Sequence, residues 1–317
     1  MDEAMTNKAW NFLKPGDIID IIAPSSAAPV EDLAQYYARA KDAFAKIGLI
    51  ARISDDLITI GEDPFSANSL EYRVNSIIDA FSNSDSKAIW AIRGGYGAAK
   101  LIPFLEKIDP PKTSKLLLGF SDVTALHLFL ENKWKRCSMH SAVINQIIMN
   151  PNFLEELRPI LFGDVEKITY NQLVPLNSSA KINQHIKASI TGGNLSIVQT
   201  SLATSWQINA KDKIIFLEDV GEQGYRIDRM LNQLLQAGVF DNAKAVIFGE
   251  ITPPIGIEPD LCGVAIENFA KTLDIPVLSL PIIGHSIKHN SPLPLGSECE
   301  LILGDGAAEL ACDSGGH

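Results

Sequence analysis

Short apolar runs alternate with amphipathic stretches of helical length through the first half of the chain. The apolar runs, which predict buried strands, are 17–23, 49–53, 88–92 and 115–119. The amphipathic stretches, which predict helices, are 31–47, 70–81, 98–108 and 122–131. Strands that alternate with helices are typical of a parallel sheet with helices on both faces. The pattern therefore predicts an α/β fold for this half.

A polar segment at 164–185 interrupts this rhythm with five asparagine and serine residues and a proline. Since a chain of 317 residues usually forms two domains, we expect a linker here, between a domain at 1–163 and another at 186–317. In the second half, three apolar runs predict strands, and three stretches predict helices. These elements are strands at 186–190, 213–217 and 245–249, a helix after 192–194, and helices at 226–237 and 258–273.

The net charge and the composition of the chain disfavour some classes of binding partner. The net charge is −11 and the pI about 5.0, which disfavours nucleic acid and anionic membranes because phosphates need cations to replace their counterions. No apolar run approaches the ~20 residues that cross a bilayer, and the N-terminus shows no signal-peptide core. We therefore expect a cytoplasmic protein. The four cysteines have spacings that suit neither a zinc site nor a disulfide framework, so we expect them to be reduced.

The segment 115–124 (KLLLGFSDVT) predicts a sharp turn between a strand and a helix. Such a turn exposes Ser121 at the strand end and aims the N–H groups of the following helix at the same point. The backbone N–H of Asp122 would then help to bind an oxyanion. The local sequence by itself favours a helix cap at Ser121 or Asp122 instead. The α/β-hydrolase signature G-x-S-x-G is not met, because Val123 replaces its second glycine.

A glycine turn, 93–97 (RGGYG), follows one predicted strand and precedes a helix. Backbone N–H groups in such a turn can bind an anion or an oxyanion. A dinucleotide fingerprint is an alternative, but its last glycine is replaced by Lys100, and it lies at the third strand–helix junction. The first junction, 23–26 (APSS), has no glycine. A purely structural turn also stays open.

A nucleophilic serine needs a base and an orienting carboxylate. Glu218 and Asp219 lie at the end of a predicted strand, where sites gather over an α/β sheet. His285 follows an apolar strand in a loop rich in glycine and proline. His289 and His140 stay open as alternatives, whereas the three remaining histidines are in a helix, in the linker and at the C-terminus.

Five segments in this order resemble the LD-carboxypeptidase family, serine peptidases that include the microcin C self-immunity peptidase. These segments are 93–97 (RGGYG), 119–124 (GFSDVT), 192–195 (GGNL), 217–229 (LEDVGEQGYRIDR), and 284–285 (GH) with 293–296 (LPLG). Each segment alone is a weak signal, but together they lie within a stretch from about residue 17 to 304. One departure is His140-Ser141-Ala142, where the family commonly has His-Gly-Pro.

The resemblance implies a triad of Ser121, Glu218 and His285, and an oxyanion hole from the backbone N–H groups of Gly95 and Asp122. It implies an N-terminal Rossmann-like parallel-sheet domain that carries the nucleophile. A C-terminal domain with a barrel-like sheet carries Glu218 and His285. The site is expected between the two, often in a homodimer, with no metal or organic cofactor.

The expected activity is hydrolysis of the L–D amide bond at the C-terminus of cytoplasmic murein tetrapeptides, which releases D-alanine. Arg93 and Asn194 are candidates to bind the free carboxylate of this small peptide. An alternative is a microcin C-type peptidase that cleaves an aminoacyl-sulfamoyl adenylate or a peptide-nucleotide. That enzyme would need an aromatic surface, for which Trp206 is a candidate. A catalytically idle ligand-binding protein is a third hypothesis.

Overall fold

The structure, a computed structural model, describes residues 9–59, 63–256, 261–304 and 307–315. The chain divides into two compact units. The first comprises the chain up to Glu166 together with the segment that begins at Ser314, and the second comprises Lys167–Asp313. Each unit has its own sheet, so each is described separately.

The first unit is a parallel sheet with helices between its strands. Its elements are β1 (Ile18–Ile22), α1 (Leu33–Lys46), β2 (Ile50–Arg52), α2 (Leu70–Ser82), β3 (Ser86–Ala91), α3 (Ile102–Leu105), β4 (Leu116–Gly119), α4 (Thr124–Phe129), β5 (Ser138–His140), α5 (Ile144–Met149) and α6 (Asn152–Phe162). Strands β1 to β5 run in the order β5-β4-β3-β1-β2, and every pair is parallel. This arrangement confirms the predicted α/β sheet.

Local sequence explains where these elements begin and end. The side chain of Asp32 accepts a hydrogen bond from the Gln35 N–H and so caps α1, which ends just before Gly48 at φ +83°. Strand β4 is buried on both faces, as expected for a central strand of a parallel sheet.

Two helices differ from the expected ranges. The stretch 98–108 forms a 3₁₀ turn at Ala98–Leu101 and only one α-helical turn, α3, because Pro103 lacks an N–H and is tolerated only in a first turn. The stretch 122–131 begins as a 3₁₀ turn at Ser121–Val123, continues as α4, and ends in a π-helical turn at Leu130–Trp134. Helices α5 and α6 lie where the sequence pattern predicted no element.

The second unit contains a larger, mixed sheet. Its elements are β6 (Lys167–Tyr170), β7 (Val174–Pro175), β8 (Gln184–Asn194), α7 (Leu195–Thr200), β9 (Ile214–Val220), α8 (Gly224–Gln236), β10 (Ala245–Thr252), α9 (Cys262–Ala270), β11 (Val277–Ser279), β12 (Leu293–Leu295), β13 (Glu298–Gly304) and β14 (Ala307–Asp313). The start of the predicted helix 258–273 lies outside the described residues. Strands β8 to β11 are parallel to one another, and β6, β7, β13 and β14 pair antiparallel.

The connection between β6 and β7 explains why this sheet curls. The strand order is β6-β14-β13-β8-β9-β10-β11-β7, so these two strands form its opposite edges. Only residues 171–173 separate them along the chain. Because each residue spans at most about 3.6 Å, the two edges must approach each other. The sheet therefore forms a half-barrel around an apolar core that includes Phe216, Ile247 and Leu301, as expected for a barrel-like second domain.

The polar segment 164–185, expected to be a linker, folds as part of the second unit from Lys167 onward. Its polar side chains make defined contacts. The buried Asn177 amide donates to the carbonyls of Ala270, Leu273 and Ile275, and its oxygen accepts from the Ala180 and Val277 N–H groups. Polar composition here reflects turns that are fixed by side-chain hydrogen bonds.

Cys299 and Cys312 are opposite each other on β13 and β14, an approach that their spacing did not predict. Within the described ranges, no group of His, Cys, Asp and Glu side chains is arranged to bind a metal ion. Nor does any helix in those ranges have the length and apolar character required to cross a bilayer.

Candidate active site

Ser121 lies in a strained turn in the first unit. After β4 ends at Gly119, Phe120 is extended and Ser121 has φ +63°, a left-handed conformation that non-glycine residues rarely adopt. Strained strand-to-helix turns of this kind expose the nucleophile in hydrolases. Phe120, Asp122 and Val123 are buried, whereas Ser121 is only half-buried. The turn thus makes Ser121 the accessible side chain of its segment.

The glycine turn 93–97 packs directly against this serine. A Cβ placed on Gly94 would lie 2.8 Å from the Ser121 Cβ and 3.0 Å from its Oγ, so no side chain fits there. Strands β3 and β4 are adjacent and parallel, which places the turns that follow them at the same edge of the sheet. The two segments that the sequence singled out in this half are therefore neighbours.

Gly95 and Asp122 are the predicted oxyanion donors. Gly95 has φ +112°, and a Cβ there would lie 2.5 Å from the Ser26 Oγ, so glycine is required on both counts. Asp122 follows Ser121 in the 3₁₀ turn, and its carboxyl group is buried, which raises its pKa against several hydrogen bonds that lower it. Their role as donors stays a prediction.

The half-buried Arg93, at the start of the glycine turn, donates from Nη1 to the Ala27 carbonyl oxygen at 2.5 Å. This bond connects the turn to the loop after β1. A guanidinium group has five N–H donors, so a bond to one carbonyl leaves Arg93 the chemical capacity to bind a carboxylate as well.

Glu218 and His285 are hydrogen-bonded in the second unit. Glu218 lies near the end of β9 and is fully buried, and its Oε2 is 2.7 Å from the Nδ1 of His285. The His285 side chain is 17% exposed. When Nδ1 carries the proton donated to Glu218, Nε2 is the ring nitrogen that can act as a base. This is the arrangement that a histidine base requires.

The surroundings raise the pKa of His285. Burial lowers it, but the Glu218 carboxylate, through its charge and its hydrogen bond, raises it, and so do the nearby Asp219 and Glu250. The acidic groups outweigh burial, so the charged imidazolium is favoured relative to a free histidine. A base with this environment is suited to accept a proton from a hydroxyl.

Asp219, the second acid at this strand end, has a different role. Its carboxylate accepts from the Ser196 N–H and Oγ–H, the Val220 N–H and the Asn194 amide. Burial and the neighbouring Glu218 raise its pKa. Asp219 therefore organises the start of α7, and Glu218 is the acid that contacts histidine.

Asn194, proposed from the sequence as a substrate ligand, is buried and caps α7. Its Oδ1 accepts from the Ile197 N–H at 3.3 Å, and its Nδ2 donates to Asp219 at 3.1 Å. Helix capping accounts for an asparagine at this position.

The loop that carries His285 is fixed on both sides. The Gly284 N–H donates to the buried Asn290 at 3.2 Å, and the Ser286 N–H donates to Glu250 at 2.9 Å. His289, four residues after His285, is exposed in this loop, as is Lys288.

The remaining described histidines have other surroundings. His140 is fully buried with its ring 5.5 Å from the Phe120 ring. His127 is buried beneath the serine turn, and its Nε2 lies 2.9 Å from the Gly119 carbonyl oxygen; burial lowers its pKa to about 3. His185 is exposed and pairs with Glu300. His317 lies outside the described residues.

Two family models match the chain in sequence. The LD-carboxypeptidase N-terminal domain matches residues 19–141, and the LD-carboxypeptidase C-terminal domain matches residues 187–301. The chain belongs to the LD-carboxypeptidase family. Membership implies a peptidase, and therefore a hydrolase.

Individual relatives support the assignment to the LD-carboxypeptidases. A Rickettsia conorii protein named for carboxypeptidase activity is 38% identical over 287 residues, which cover 90% of this chain and 87% of the relative. The murein tetrapeptide carboxypeptidase of Pseudomonas aeruginosa is 28% identical over 246 residues, which cover 75% of this chain and 79% of that enzyme.

Solved structures share the fold of this LD-carboxypeptidase. The muramoyltetrapeptide carboxypeptidase of Oxalobacter formigenes aligns with a TM-score of 0.77 and 25% identity, over 93% of this chain and 98% of that one. An MccF-like protein from Bacillus anthracis aligns with a TM-score of 0.81 and 21% identity, over 96% and 98% of the two chains.

Sequence reasoning missed several residues that shape the serine turn and, separately, the histidine loop of this LD-carboxypeptidase. They are Ser25, Ser26 and Arg73 beside the glycine turn, and Glu250 and Asn290 beside the histidine loop. The one signal in the sequence was the polar pair Ser25-Ser26 in the loop after a buried strand, where ligand-binding residues of α/β sheets gather.

Proposed function

We propose that this protein is a serine carboxypeptidase that hydrolyses the C-terminal L–D amide bond of murein tetrapeptides and releases D-alanine. Ser121 is the nucleophile, His285 the base and Glu218 the orienting acid. The observation that carries the proposal is the 2.7 Å contact between His285 and the buried Glu218 in a chain of the LD-carboxypeptidase family. The strained turn at Ser121 supports the assignment of the nucleophile.

In the proposed reaction, Nε2 of His285 accepts the Ser121 hydroxyl proton as Oγ attacks the carbonyl carbon. The N–H groups of Gly95 and Asp122 bind the tetrahedral oxyanion; loss of one such donor typically reduces the rate about 100- to 1000-fold. The imidazolium then protonates the leaving amine of D-alanine. Water, deprotonated by His285, hydrolyses the acyl-enzyme and regenerates Ser121.

For recognition of the free substrate carboxylate, we favour Arg93 over Asn194. Arg93 is half-buried and has several N–H donors besides the one that contacts Ala27. Asn194 is buried, and both ends of its amide contact groups around α7. The proposal further includes a cytoplasmic location, where murein peptides are recycled, a homodimer, and no cofactor.

The direct test is to incubate the protein with the murein tetrapeptide and to follow the tripeptide and D-alanine by mass. We expect D-alanine release by the wild type and its loss in Ser121→Ala. Ser138→Ala, a buried serine at the start of β5, is a matched control and is expected to retain activity. Turnover that survives Ser121→Ala would exclude Ser121 as the nucleophile.

The alternative substrate is an aminoacyl-sulfamoyl adenylate. One structural neighbour, the microcin C7 self-immunity protein MccF, was solved with aspartyl sulfamoyl adenosine, at 18% identity to this chain. Trp206, the candidate for stacking on the nucleobase, is only 7% exposed and packs in the core. The tetrapeptide is therefore the favoured substrate. Adenylate cleavage without D-alanine release would reverse this order.

A further inference from the structure

The loop after β1 contacts the glycine turn on both sides of Gly95. The Ser26 N–H donates to the Gly94 carbonyl oxygen at 3.3 Å, and the Ser26 Oγ accepts from the Tyr96 N–H at 3.1 Å. The same Oγ donates to the Phe65 carbonyl oxygen at 2.8 Å. Ser26 therefore fixes the residues that flank the proposed oxyanion donor.

The next contact connects this loop to the serine turn. Oδ2 of Asp122 accepts from the Ser25 Oγ–H at 2.6 Å and from the Ala98 N–H at 2.8 Å. The Gly97 N–H is a further donor to the carboxylate. Asp122 is 3% exposed and Ser25 is fully buried. One carboxylate thus joins the loops that follow three neighbouring strands.

Asp122 therefore has two relations to the proposed oxyanion hole. Its backbone N–H is one of the proposed donors, and its side chain holds the far end of the turn that contains the other donor, Gly95. We propose that Asp122, Ser25 and Ser26 are positioning residues that set the distance between the two oxyanion donors. This inference rests on the proposed function.

The chemistry of the carboxylate supports this role. A buried carboxylate is unfavourable unless hydrogen-bond donors surround it. The two oxygens of Asp122 can accept from all three donors at once, whereas an asparagine has only one accepting oxygen and would turn an N–H group toward a donor. Asp122→Asn keeps the shape of the side chain but disrupts this set of contacts.

The same unit contains a matched control. Ser86 and Asp20 form a second buried serine–aspartate pair, with the Ser86 Oγ 2.5 Å from the Asp20 Oδ2. Ser86 is the first residue of β3, whereas the glycine turn follows the last, about 16–20 Å away along a strand of six residues. Ser86→Ala removes a buried serine–aspartate hydrogen bond at the opposite ends of the parallel strands, together with the hydrogen bond that Ser86 accepts from Lys115.

The experiment compares Ser25→Ala, Ser26→Ala and Asp122→Asn with Ser86→Ala. We expect kcat for D-alanine release to fall about tenfold in each serine variant and about 100-fold in Asp122→Asn, with KM changed less than about threefold, because donors to the oxyanion act mainly in the transition state. Ser86→Ala should keep kcat within twofold. Thermal melting of all four variants shows whether each one folds.

A second readout is the rate at which a fluorophosphonate labels Ser121. As Ser121 attacks the phosphorus of this reagent, negative charge develops on a phosphoryl oxygen, which the same two donors would bind. Labelling should slow in parallel with kcat in the serine variants. If Ser25→Ala and Ser26→Ala match Ser86→Ala in both rates while the wild type is active, the positioning role is wrong and the proposed function stands. If the wild type neither releases D-alanine nor is labelled at Ser121, both proposals fail.

Should Asp122→Asn not fold, the two serine variants decide the question. If Ser121 is labelled but the tetrapeptide is not cleaved, slower labelling in the serine variants still supports the positioning role. In that case only the substrate assignment is overturned.

Discussion

The turn that carries Ser121 and the loop that carries His285 are fixed by different kinds of interaction. Around Ser121, backbone geometry dominates. Ser121 has a left-handed conformation, Gly94 and Gly95 leave no room for a Cβ, and the nearby buried histidine, His127, has a lowered pKa. Around His285, charge dominates: Glu218, Asp219 and Glu250 all raise the histidine's pKa. The first region tolerates little added volume, and the second responds to lost charge and to pH.

Two histidines show the difference clearly. His127 and His285 are both largely buried, yet the pKa of His127 falls to about 3 while that of His285 rises. Burial lowers both values. Among the residues that the structure describes, the Gly119 carbonyl oxygen offsets burial at His127, whereas His285 has a carboxylate at 2.7 Å. The partner, rather than the depth of burial, decides which histidine can serve as a base near neutral pH.

The largest expected effect tests the charge-dominated region. Glu218→Gln removes the negative charge that stabilises the His285 imidazolium and can stabilise the wrong tautomer, so we expect kcat to fall about 1000- to 10,000-fold. Kinetics of D-alanine release measure this. Glu250→Gln keeps an oxygen for the Ser286 N–H and should lose less than about tenfold. Equal losses in both variants would contradict a special role for Glu218.

The next effect tests the volume-limited region. Gly94→Ala places a methyl group 2.8 Å from the Ser121 Cβ, so the serine turn must shift. Because a displacement of about 1 Å can reduce a rate 100-fold, we expect kcat to fall by about that factor or more. Gly263→Ala, where a Cβ meets open space in α9, is the control and should leave kcat unchanged. Full activity of Gly94→Ala would refute the tight packing at Ser121.

The raised pKa of His285 gives a pH-dependent prediction. NMR titration should place its pKa above the ordinary value of about 6.5, and Glu218→Gln should lower it. Because folding raises the pKa of this histidine, its protonation adds to the free energy of unfolding. That contribution is complete below about pH 6.5 and is lost as the pH rises through the folded-state pKa. His289→Ala should leave the titration of His285 unchanged. An unshifted His285 would show that Glu218 does not stabilise its charge.

The smallest expected effect is a loss of folding stability at low pH that is caused by His127, the buried histidine near the serine turn. His127 remains neutral in the folded state down to pH about 3, but an unfolded histidine binds a proton below about 6.5. The free energy of unfolding should therefore fall by about 1.4 kcal/mol per pH unit below 6.5 on account of this group. Urea unfolding at pH 7, 6 and 5 measures the slope. In His127→Gln, which retains a donor for Gly119, the slope should be flatter by this amount.

The sequence by itself determined much of the architecture. Apolar runs and the helical spacing of apolar residues between them predicted the parallel sheet of the first unit, because buried parallel strands such as β4 are continuously apolar. Local chemistry also predicted that Ser121 follows a strand and that Glu218 ends one. In the second unit, only the family resemblance suggested a barrel-like sheet. The curl itself depends on strand order, which joins β6 and β7 across the whole sheet.

Tertiary structure alone decided which side chains meet. Glu218 and Asp219 are adjacent and chemically similar, yet Glu218 contacts His285 and Asp219 accepts from the Ser196 N–H at the start of α7. Ser25 and Asp122 are 97 residues apart and form a buried hydrogen bond. Such pairs depend on how strand ends align across a sheet, and spacing along the chain does not encode that alignment. The order of the elements is therefore a local property of this sequence, whereas the contacts that select Glu218 and connect Ser25 to Asp122 exist only once the sheets have formed.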